Sequence, residues 1–277
     1  MKLAEIVRLA LLEDVGHGDV TTEATVPAEL QGSARIIAKQ ELVVCGHDIA
    51  AEVFRQMGAT YTPEVGEGAL VEKWTVIARV SGPMRGLLTG ERLALNFMMR
   101  LCGIATHTHR TVARAGTLKV VDTRKTTPLI RRLERRAVKV GGGSNHRFAL
   151  YDGILIKDNH IKAAGGVSEA IQRARAHAHH LLRIEIEVET LDELRDALTL
   201  GVDAALLDNM DDETLKAAIA LNQAFAAEHG TRPAILEASG NMDADRIERI
   251  SNIGLDVVSM GGLIHQATWA DLSMKAD

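Results

Sequence analysis

The chain has 277 residues, of which 46% are hydrophobic and 25% are charged, and its formal net charge is −5 at neutral pH. A chain of this length can bury a substantial core, and it suits either one barrel of ordinary size or a barrel with a smaller domain. The negative net charge argues against a general nucleic-acid-binding protein.

The first hundred residues predict a small α/β domain. Apolar residues at helical spacing predict a helix over residues 3–14. Two segments rich in Val, Ile and Ala, 33–44 and 71–80, predict strands, and a helix is predicted between them at 47–57. A long helical pattern over residues 84–101 then predicts the element at the domain boundary.

Charge distribution and cysteine usage predict a cytoplasmic protein. The N-terminal residues carry charges every few positions, and no apolar stretch has the length of a signal sequence or a membrane span. The two cysteines, Cys45 and Cys102, lie in apolar runs, outside any metal-binding or redox spacing. We interpret both as packing residues in a reducing compartment, and we expect no membrane partner.

After the long helix, short apolar runs alternate with amphipathic helices, which is typical of parallel βα units. The predicted strands cover residues 119–124, 154–157, 184–189, 204–208, 234–237 and 256–260, and the predicted helices cover 168–178, 191–200, 212–229 and 244–253. Almost every one of these strands ends in polar residues. Because reactive groups of an α/β barrel lie at the C-terminal ends of its strands, we expect these polar residues to meet at one mouth.

The predicted strand at 184–189 alternates Ile or Val with Glu. Successive side chains of a strand point to opposite faces, so Glu185, Glu187 and Glu189 share one face. A central strand would direct them into the barrel, where buried carboxylates need Lys, Arg, metal or ligand partners. An edge strand would leave them in water, and the flanking βα pattern favours the central position.

Positive charge is concentrated between Arg124 and Arg147, where eight Lys and Arg residues accompany a single acid. Five of them lie on a predicted helix at 129–140, and we expect these five to be solvated. Arg124 and Lys125 instead follow a strand, where Arg can bind a carboxylate through two hydrogen bonds and Lys can meet a phosphate. The pattern indicates a site for a small, highly charged anion.

Short Ser-Gly and Gly-Gly sequences follow two late strands. Ser239-Gly240 and Gly261-Gly262 occupy positions where barrels commonly bind phosphate through backbone N–H groups and a helix N-terminus. Each pair alone is equally compatible with a simple turn. Their occurrence after consecutive strands favours the phosphate site.

A set of motifs extends in order over nearly the full length of the chain. They are Glu13–Asp19, Glu91–Asn96, Gly103–Thr106, Asp122–Pro128, Gly141–Arg147, Lys157–His160, Glu187–Glu189, Leu207–Asn209, Glu237–Gly240 and Ser259–His265. Together they closely resemble the quinolinate phosphoribosyltransferases, which are the carboxylating nicotinate-nucleotide pyrophosphorylases. Two positions depart from the usual pattern of that family. Leu129 stands where Gly commonly follows the Pro, which bears on loop mobility, and Ile264 stands where Thr would offer a hydroxyl.

The resemblance implies an α/β protein with an N-terminal α/β sandwich domain and an incomplete α/β barrel of the seven-stranded type, like other type II phosphoribosyltransferases. The expected domains are residues 1–105, which form the dimer, and residues 106–277, which form the catalytic barrel. The C-terminal tail is a candidate for packing back on the N-terminal domain. The family implies a homodimer with shared active sites, in which Arg92 reaches the site of the neighbour, and a higher oligomer stays open.

The resemblance also implies a reaction. Quinolinate and phosphoribosyl pyrophosphate would give nicotinate mononucleotide, pyrophosphate and CO₂, with Mg²⁺ as cofactor, in de novo NAD biosynthesis. The residues expected to bind quinolinate are Arg92, Arg124, His146 and Arg147. The residues expected to act in catalysis and to bind the donor are Lys125, Lys157, Glu187 and Asp208, and the donor is also expected to contact Ser239, Gly240, Gly261, Gly262 and His265. Glu187 and Asp208 are the candidate Mg²⁺ ligands, directly or through water or substrate.

Other functions compete with this one. A paralogous phosphoribosyltransferase could use another acceptor, such as nicotinate or a molybdenum-associated metabolite, but the three basic residues of the barrel's acceptor site favour a dicarboxylate. A non-catalytic sensor of a phosphorylated metabolite would not need the carboxylates and the lysine at the strand ends. An RNA-binding protein is disfavoured by an aromatic content of 3% and by the lack of a stacking motif.

Overall fold

A computed structural model describes residues 2–277 of the chain. The chain forms two compact units. The first comprises the residues up to 110 together with 126–142 and 263–277, and the second comprises 111–125 and 143–262. Each unit therefore combines segments that are distant in sequence.

Eleven helices and twelve strands are present in the described residues. The helices are α1 (Leu3–Asp14), α2 (Val20–Thr25), α3 (His47–Gln56), α4 (Met84–Val112), α5 (Arg131–Val140), α6 (Asp158–Ala164), α7 (Val167–His177), α8 (Leu191–Thr199), α9 (Asp212–His229), α10 (Ala244–Ile250) and α11 (Gly262–His265). The strands are β1 (Gln31–Ala38), β2 (Leu42–Val43), β3 (Thr60–Pro63), β4 (Leu70–Val71), β5 (Val76–Pro83), β6 (Lys119–Val121), β7 (Ile154–Ile156), β8 (Ile184–Val188), β9 (Ala204–Asp208), β10 (Ile235–Ser239), β11 (Val257–Ser259) and β12 (Leu272–Ala276).

The first unit contains a four-stranded antiparallel sheet with the order β12-β1-β5-β3. The last strand of the chain completes this sheet, because Ala34 of β1 lies opposite Ala276 and Ala38 lies opposite Leu272. Along β1, Ala34, Ile36 and Ala38 are fully buried and alternate with partly exposed residues. One face of the sheet therefore packs on the core of the unit, as is common for antiparallel sheets.

The long helix α4 approaches a neighbouring segment of the first unit closely at Gly103. A Cβ atom at this position would lie 2.0 Å from the carbonyl oxygen of Thr268, so only glycine fits. The adjacent Cys102 is fully buried, and its Sγ accepts the backbone N–H of Cys45 at 3.2 Å. Both cysteines are buried and unoxidised, which confirms their prediction as packing residues.

Helix α5 corrects one expectation about the basic residues. We expected its five Lys and Arg side chains to be solvated, but only Arg132 and Lys139 are exposed. Arg135 is only 4% exposed, and Arg136 is partly buried and binds the carboxylate of Asp48. On the same helix Glu134 is fully buried and pairs with Arg100 at 2.7 Å. The helix packs charged side chains inside its own unit, and buried charges persist only with such partners.

The second unit contains a six-stranded parallel sheet with the order β6-β11-β10-β9-β8-β7. A short parallel bridge between Val121 and Ser144 adds a seventh segment beside β6. The predicted βα pattern is confirmed for every strand of this sheet, with ends that differ by up to three residues. The predicted strand at 119–124 ends earlier, at Val121, and the N–H of Asp122 binds the carbonyl of Ser144 in the adjacent bridge.

The alternation of Ile or Val with Glu has the predicted consequence for Glu185 and Glu187, but the prediction is wrong for Glu189, which lies after the end of β8 and is exposed. Ile184, Ile186 and Val188 are buried, whereas Glu185 and Glu187 are partly buried on the opposite face. β8 pairs with β7 on one side and with β9 on the other, so it is a central strand. Its two carboxylates therefore need partners, which the site described below supplies.

In the described residues, no helix combines the length and the apolar character that crossing a membrane requires.

Candidate active site

Most of the predicted site residues surround one cavity of about 600 Å³ in the second unit. Parallel strands bring their C-terminal ends to one edge of a sheet, so residues far apart in sequence meet there. The cavity is lined by Thr123, Arg124, Lys125, His146, Arg147, Leu155, Lys157, Glu187, Leu206, Asp208, Asn209, Glu237, Ser239, Gly240, Asn241 and Ser259.

Three charged residues of this cavity, Lys157, Glu187 and Asp208, form what we call the lysine cluster. Lys157 lies between the end of β7 and the start of α6, and its Nζ contacts Oε2 of Glu187. Burial, and next the charge of Glu187, raise the pKa of Asp208, while Lys157 acts in the opposite direction. The lysine side chain is 47% exposed, so it can leave its carboxylate for an incoming phosphate.

His146, Glu185 and Glu237 form a second group, the histidine cluster. Nε2 of His146 lies 3.2 Å from Oε2 of Glu185 and 3.5 Å from Oε2 of Glu237. Nδ1 of the same ring accepts the backbone N–H of Arg147 at 2.7 Å. This assigns the ring hydrogen to Nε2, where it faces the two carboxylates.

The histidine cluster retains a proton that its carboxylates would lose in water. Burial, and next the charge of Glu185, raise the pKa of Glu237 to about 7, and the charge of His146 opposes this. Burial alone would lower the pKa of His146, but its hydrogen bond to Glu185 and the charge of Glu237 outweigh burial and raise it. Because Nδ1 of His146 accepts the N–H of Arg147, it cannot also carry a hydrogen, and the geometry therefore leaves the extra proton on Glu237.

The histidine cluster also has spacing that would suit a metal ion, since one ligand atom from each residue lies within 4.8 Å of the others. A metal would need the lone pair of Nε2 on His146. That nitrogen carries the hydrogen, because Nδ1 is occupied by the N–H of Arg147. The arrangement fits a hydrogen-bonded cluster better than a metal centre.

The segment that carries His146 and Arg147 is held by Asp122, which follows β6 and is fully buried. The Asp122 carboxylate accepts the side-chain N–H of Asn145 at 2.5 Å and the backbone N–H of His146 at 3.0 Å. The guanidinium of Arg147 donates to the carbonyl of Gly153 at 2.7 Å. The orientation of both basic side chains therefore depends on this buried carboxylate and on one backbone carbonyl.

Two arginines bring positive charge together in the cavity. Burial, and next the charge of Arg124, lower the pKa of Arg147. Arg124 and Lys125 are exposed in the segment that follows β6. Cations held this close are stabilised by an anion, and a dicarboxylate can bind both of them with charge-assisted hydrogen bonds.

Two sequence profiles of one protein family match the chain. The C-terminal domain of quinolinate phosphoribosyl transferase matches residues 104–275, and the N-terminal domain of the same family matches residues 19–102. The chain belongs to this family. The resemblance in its ordered motifs is therefore confirmed.

Relatives in the quinolinate phosphoribosyl transferase family are similar over nearly the full length of the chain. A probable nicotinate-nucleotide pyrophosphorylase [carboxylating] of Bacillus subtilis is 38% identical over 278 residues, which cover 99% of this chain and 93% of the relative. The crystal structure of NadC from Streptococcus pyogenes has a TM-score of 0.92 at 39% identity, and the match covers 99% of this chain and 95% of that structure's chain. The structure of the nicotinate-nucleotide pyrophosphorylase from Francisella tularensis has a TM-score of 0.92 at 34% identity, and the match covers 99% of this chain and 96% of that structure's chain. The predicted fold class is confirmed by these structures.

The cavity brings together nine of the predicted residues: Arg124, Lys125, His146, Arg147, Lys157, Glu187, Asp208, Ser239 and Gly240. Within residues 2–277, Gly261 and Gly262 follow β11 and are not among the lining residues. Arg92 on α4 and His265 on α11 belong to the first unit. The roles of these four residues, like those of the nine that line the cavity, stay predictions.

Five polar residues of the cavity have no role in the sequence prediction: Thr123, Asn209, Glu237, Asn241 and Ser259. The strand-end pattern places Asn209, Glu237 and Ser259 at the mouth but does not say what they contact. Thr123 and Asn241 carry only turn signals. The sequence also predicts that Glu185 points inward, yet its partner His146 lies on a distant segment that no local pattern identifies.

The lysine cluster fits the Mg²⁺ that family membership implies. Mg²⁺ prefers one or two carboxylates together with water and substrate phosphates. Glu187 and Asp208 offer carboxylate oxygens to the same cavity. Burial and the charge of Glu187 raise the pKa of Asp208, and a cation beside both carboxylates would offset this repulsion.

Proposed function

We propose that this chain transfers a phosphoribosyl group from phosphoribosyl pyrophosphate to quinolinate with loss of CO₂, in de novo NAD biosynthesis. The products are nicotinate mononucleotide, pyrophosphate and CO₂. One observation carries the proposal, namely that a single cavity contains two arginines, two lysines and three carboxylates. Relatives named probable nicotinate-nucleotide pyrophosphorylases [carboxylating] support the same reaction.

The arginines bind the acceptor. Quinolinate carries two adjacent carboxylates, and Arg124 and Arg147 can each bind a carboxylate with two hydrogen bonds. His146 completes this side of the site, held by the backbone of Arg147 and by its own two carboxylate partners. A fixed acceptor presents its ring nitrogen to the donor, and such orientation supplies much of the catalysis in a reaction between two bound molecules.

The lysine cluster and Lys125 act on the donor. Lys125 and Lys157 meet the pyrophosphate, and Glu187 and Asp208 lie where the ribose is expected. As pyrophosphate departs, the ribose C1 gains positive charge, and nearby carboxylates stabilise this charge in the transition state. Lys157 can exchange its contact with Glu187 for the pyrophosphate, since its side chain is half-exposed.

The 5'-phosphate of the donor is proposed to bind at Ser239 and Gly240, which line the cavity at the end of β10. Gly261, Gly262 and His265 are proposed to contribute to the same phosphate. Gly240 has a φ of +83°, a conformation that a side chain would oppose. A glycine here lets the backbone approach the phosphate closely.

Decarboxylation follows from the transfer itself. Once the ring nitrogen is bonded to ribose it is positively charged, so the adjacent ring carbon can keep the electron pair of its bond to the carboxylate. CO₂ leaves, and the carbon takes up a proton. The cations that bind this carboxylate must hold it loosely, because tight binding of the ground state would raise the barrier.

Glu187 and Asp208 are proposed to hold Mg²⁺, directly or through water or substrate oxygens. When bound, Mg²⁺ would neutralise charge on the departing pyrophosphate. The chain's own lysines share that task, while the two carboxylates keep the ribose side of the cavity negative.

We propose further that the chain works as a homodimer in which Arg92 completes the acceptor site of the neighbouring subunit. Arg92 lies on α4 in the first unit and is exposed. A guanidinium at this position could supply a further cation for a dicarboxylate. Mass measurement of the purified protein in solution tests the dimer.

The reaction is tested by mixing the purified protein with phosphoribosyl pyrophosphate, Mg²⁺ and quinolinate labelled in its 2-carboxylate. We expect labelled CO₂ and nicotinate mononucleotide in equal amounts. Nicotinate serves as the competing acceptor, since it lacks the second carboxylate. Faster turnover of nicotinate would contradict the acceptor assignment, and no turnover of either would contradict the reaction.

A further inference from the structure

Two asparagines with left-handed backbone lie side by side at the mouth of the cavity. Asn209 follows β9 with a φ of +53°, and Asn241 follows β10 with a φ of +47°. β9 and β10 are neighbours in the parallel sheet, so the two turns are adjacent. Left-handed backbone is unusual outside glycine, and Asn tolerates it best because its short amide can bind locally.

The two amides form a hydrogen-bonded chain that ends on the Asp208 carboxylate. Nδ2 of Asn241 donates to Oδ1 of Asn209 at 3.1 Å, and Nδ2 of Asn209 donates to Oδ2 of Asp208 at 2.8 Å. The backbone N–H of Asn209 donates to the carbonyl of Ser239 at 3.0 Å. The side chain of Asp208 is therefore oriented from the turn after the neighbouring strand.

Gly240 makes this chain sterically possible. A Cβ atom at position 240 would lie 2.1 Å from Oδ1 of Asn209, which is the atom that accepts the hydrogen bond from Asn241. Any side chain at this position would displace the Asn209 amide. The glycine is thus required by the amide chain as well as by its own left-handed backbone.

Arg246 on α10 binds the backbone of both turns. Its Nη1 donates to the carbonyl of Gly240 at 3.1 Å, its Nη2 donates to the carbonyl of Met210, and its Nε contacts Asp212 at 3.5 Å. The side chain of Arg246 is 14% exposed. One planar guanidinium therefore fixes the distance between the turn after β9 and the turn after β10.

We propose that Asn209, Asn241 and Arg246 are positioning residues that orient Asp208 for the phosphoribosyl donor. Arg246 fixes the two turns, and the amide chain passes that geometry to the carboxylate. The inference rests on the proposed function, because it takes Asp208 to act on the donor. It also predicts that substitutions at the three residues weaken binding of the donor and leave binding of the acceptor unchanged.

The strongest test is Arg246→Lys, since an ammonium group cannot bind two carbonyls in a plane. Calorimetric titration with Mg²⁺ present should show phosphoribosyl pyrophosphate binding about tenfold more weakly, and quinolinate binding unchanged. The matched control is Arg249→Lys on the same helix, whose exposed side chain also contacts Asp212. The control should bind the donor like the unmodified protein.

The amide chain is tested by Asn241→Asp and Asn241→Gly, which both remove the Nδ2 donor. Each should weaken donor binding by about threefold to fivefold, since the exposed amides compete with water. Asn252→Asp adds the same charge at another exposed turn of the same unit and should have no effect. If Asn241→Asp weakened donor binding and Asn241→Gly did not, the added charge would explain the effect. The proposed role of the hydrogen-bonded amides would then be refuted.

A double-mutant cycle separates positioning from general stability. If Asn241 acts through Asp208, its substitution should have little further effect in an Asp208→Asn background. Additive losses, equal losses for both ligands, or Arg246→Lys binding like its control would overturn the inference. If the unmodified protein binds the donor but does not convert quinolinate, the proposed function fails and the positioning test stands. If it binds no donor, both fail.

Discussion

The lysine cluster and the histidine cluster lie in the same unit, and each sets one basic side chain beside two carboxylates. They differ in the exposure of the basic side chain, whereas Glu187, at 10%, is as buried as the carboxylates of the histidine cluster. The lysine side chain is 47% exposed, whereas the side chains of the histidine cluster are between 5% and 15% exposed. Charged groups near water exchange partners easily, while buried ones are fixed by the hydrogen bonds they need. The exposed Lys157 can therefore change its partner when a ligand binds, whereas the buried carboxylates of the histidine cluster hold the imidazole ring of His146 in place.

Lys157→Ala is expected to have the largest effect. The substitution removes the mobile charge of the lysine cluster and leaves Glu187 facing Asp208 without it. We expect kcat/KM for phosphoribosyl pyrophosphate to fall about a hundredfold or more, as for loss of one preorganised charge. Quinolinate binding should change little in calorimetry. Lys162→Ala, which removes an exposed lysine paired with Asp158, is the control and should retain full activity.

Arg147→Ala removes the guanidinium of Arg147 and leaves its backbone groups in place. Alanine keeps the N–H that binds Nδ1 of His146, so the histidine cluster should stay in place. We expect quinolinate to bind about ten- to a hundredfold more weakly, because charge-assisted hydrogen bonds are lost. Calorimetric titration of both substrates measures this. Equal losses for quinolinate and phosphoribosyl pyrophosphate would contradict the division of roles, and Arg183→Ala, at an exposed position before β8, is the matched control.

Glu237→Gln tests the buried cluster through stability. The pKa of Glu237 is raised, chiefly by burial, from its ordinary value of 4.5 to about 7. The folded state therefore binds this proton more tightly than the unfolded state. The stabilisation is complete below pH 4.5 and is lost as the pH rises through about 7. The groups that face Glu237 are Glu185, His146, Ser259 and Lys157.

Gln cannot ionise, so Glu237→Gln should remove part of this pH dependence. Between pH 5 and pH 8, the unmodified protein should lose about 1–3 kcal/mol more stability than the variant. Melting temperatures at several pH values measure the difference. Glu189→Gln removes an exposed carboxylate after the same strand as Glu185 and should behave like the unmodified protein. If the melting temperatures of all three proteins changed with pH in parallel, the histidine cluster would not hold its proton.

Leu129→Gly provides a reference that involves neither cluster. Leu129 has a φ of +70° and is largely exposed, at the position where the family commonly has Gly. Left-handed backbone costs a non-glycine residue about 1–2 kcal/mol, and the added freedom of glycine in the unfolded chain offsets about half of this. The melting temperature should therefore rise by a few degrees. Leu181→Gly, an exposed leucine without left-handed backbone, should lower it slightly.

Much of the second unit is predictable from the sequence. Each strand of the parallel sheet is encoded by a short apolar run or, in β8, by alternating apolar and acidic residues, and the predicted bounds of β9 and α9 are those observed. The alternation in β8 gives the side on which Glu185 and Glu187 lie. These features are local, because side-chain direction repeats every two residues in a strand and about every 3.6 in a helix.

Other elements are not visible in local patterns. Helix α6 begins directly after Lys157 within a polar motif that reads as a strand end, and β12 returns to pair with β1 across the length of the chain. The buried state of Arg135 also escapes prediction, because its helix carries many exposed charges. Each of these outcomes depends on a surface supplied by a distant segment.

The α/β class, the family, and the strand ends where polar residues meet are all predictable from the order of the amino acids. The position of His146 between Glu185 and Glu237, and the link from Asn241 through Asn209 to Asp208, arise only in the folded chain. The physical reason is that periodicity fixes the face on which a side chain lies, whereas its partner depends on which strands become neighbours. That choice is made by the packing of the whole sheet.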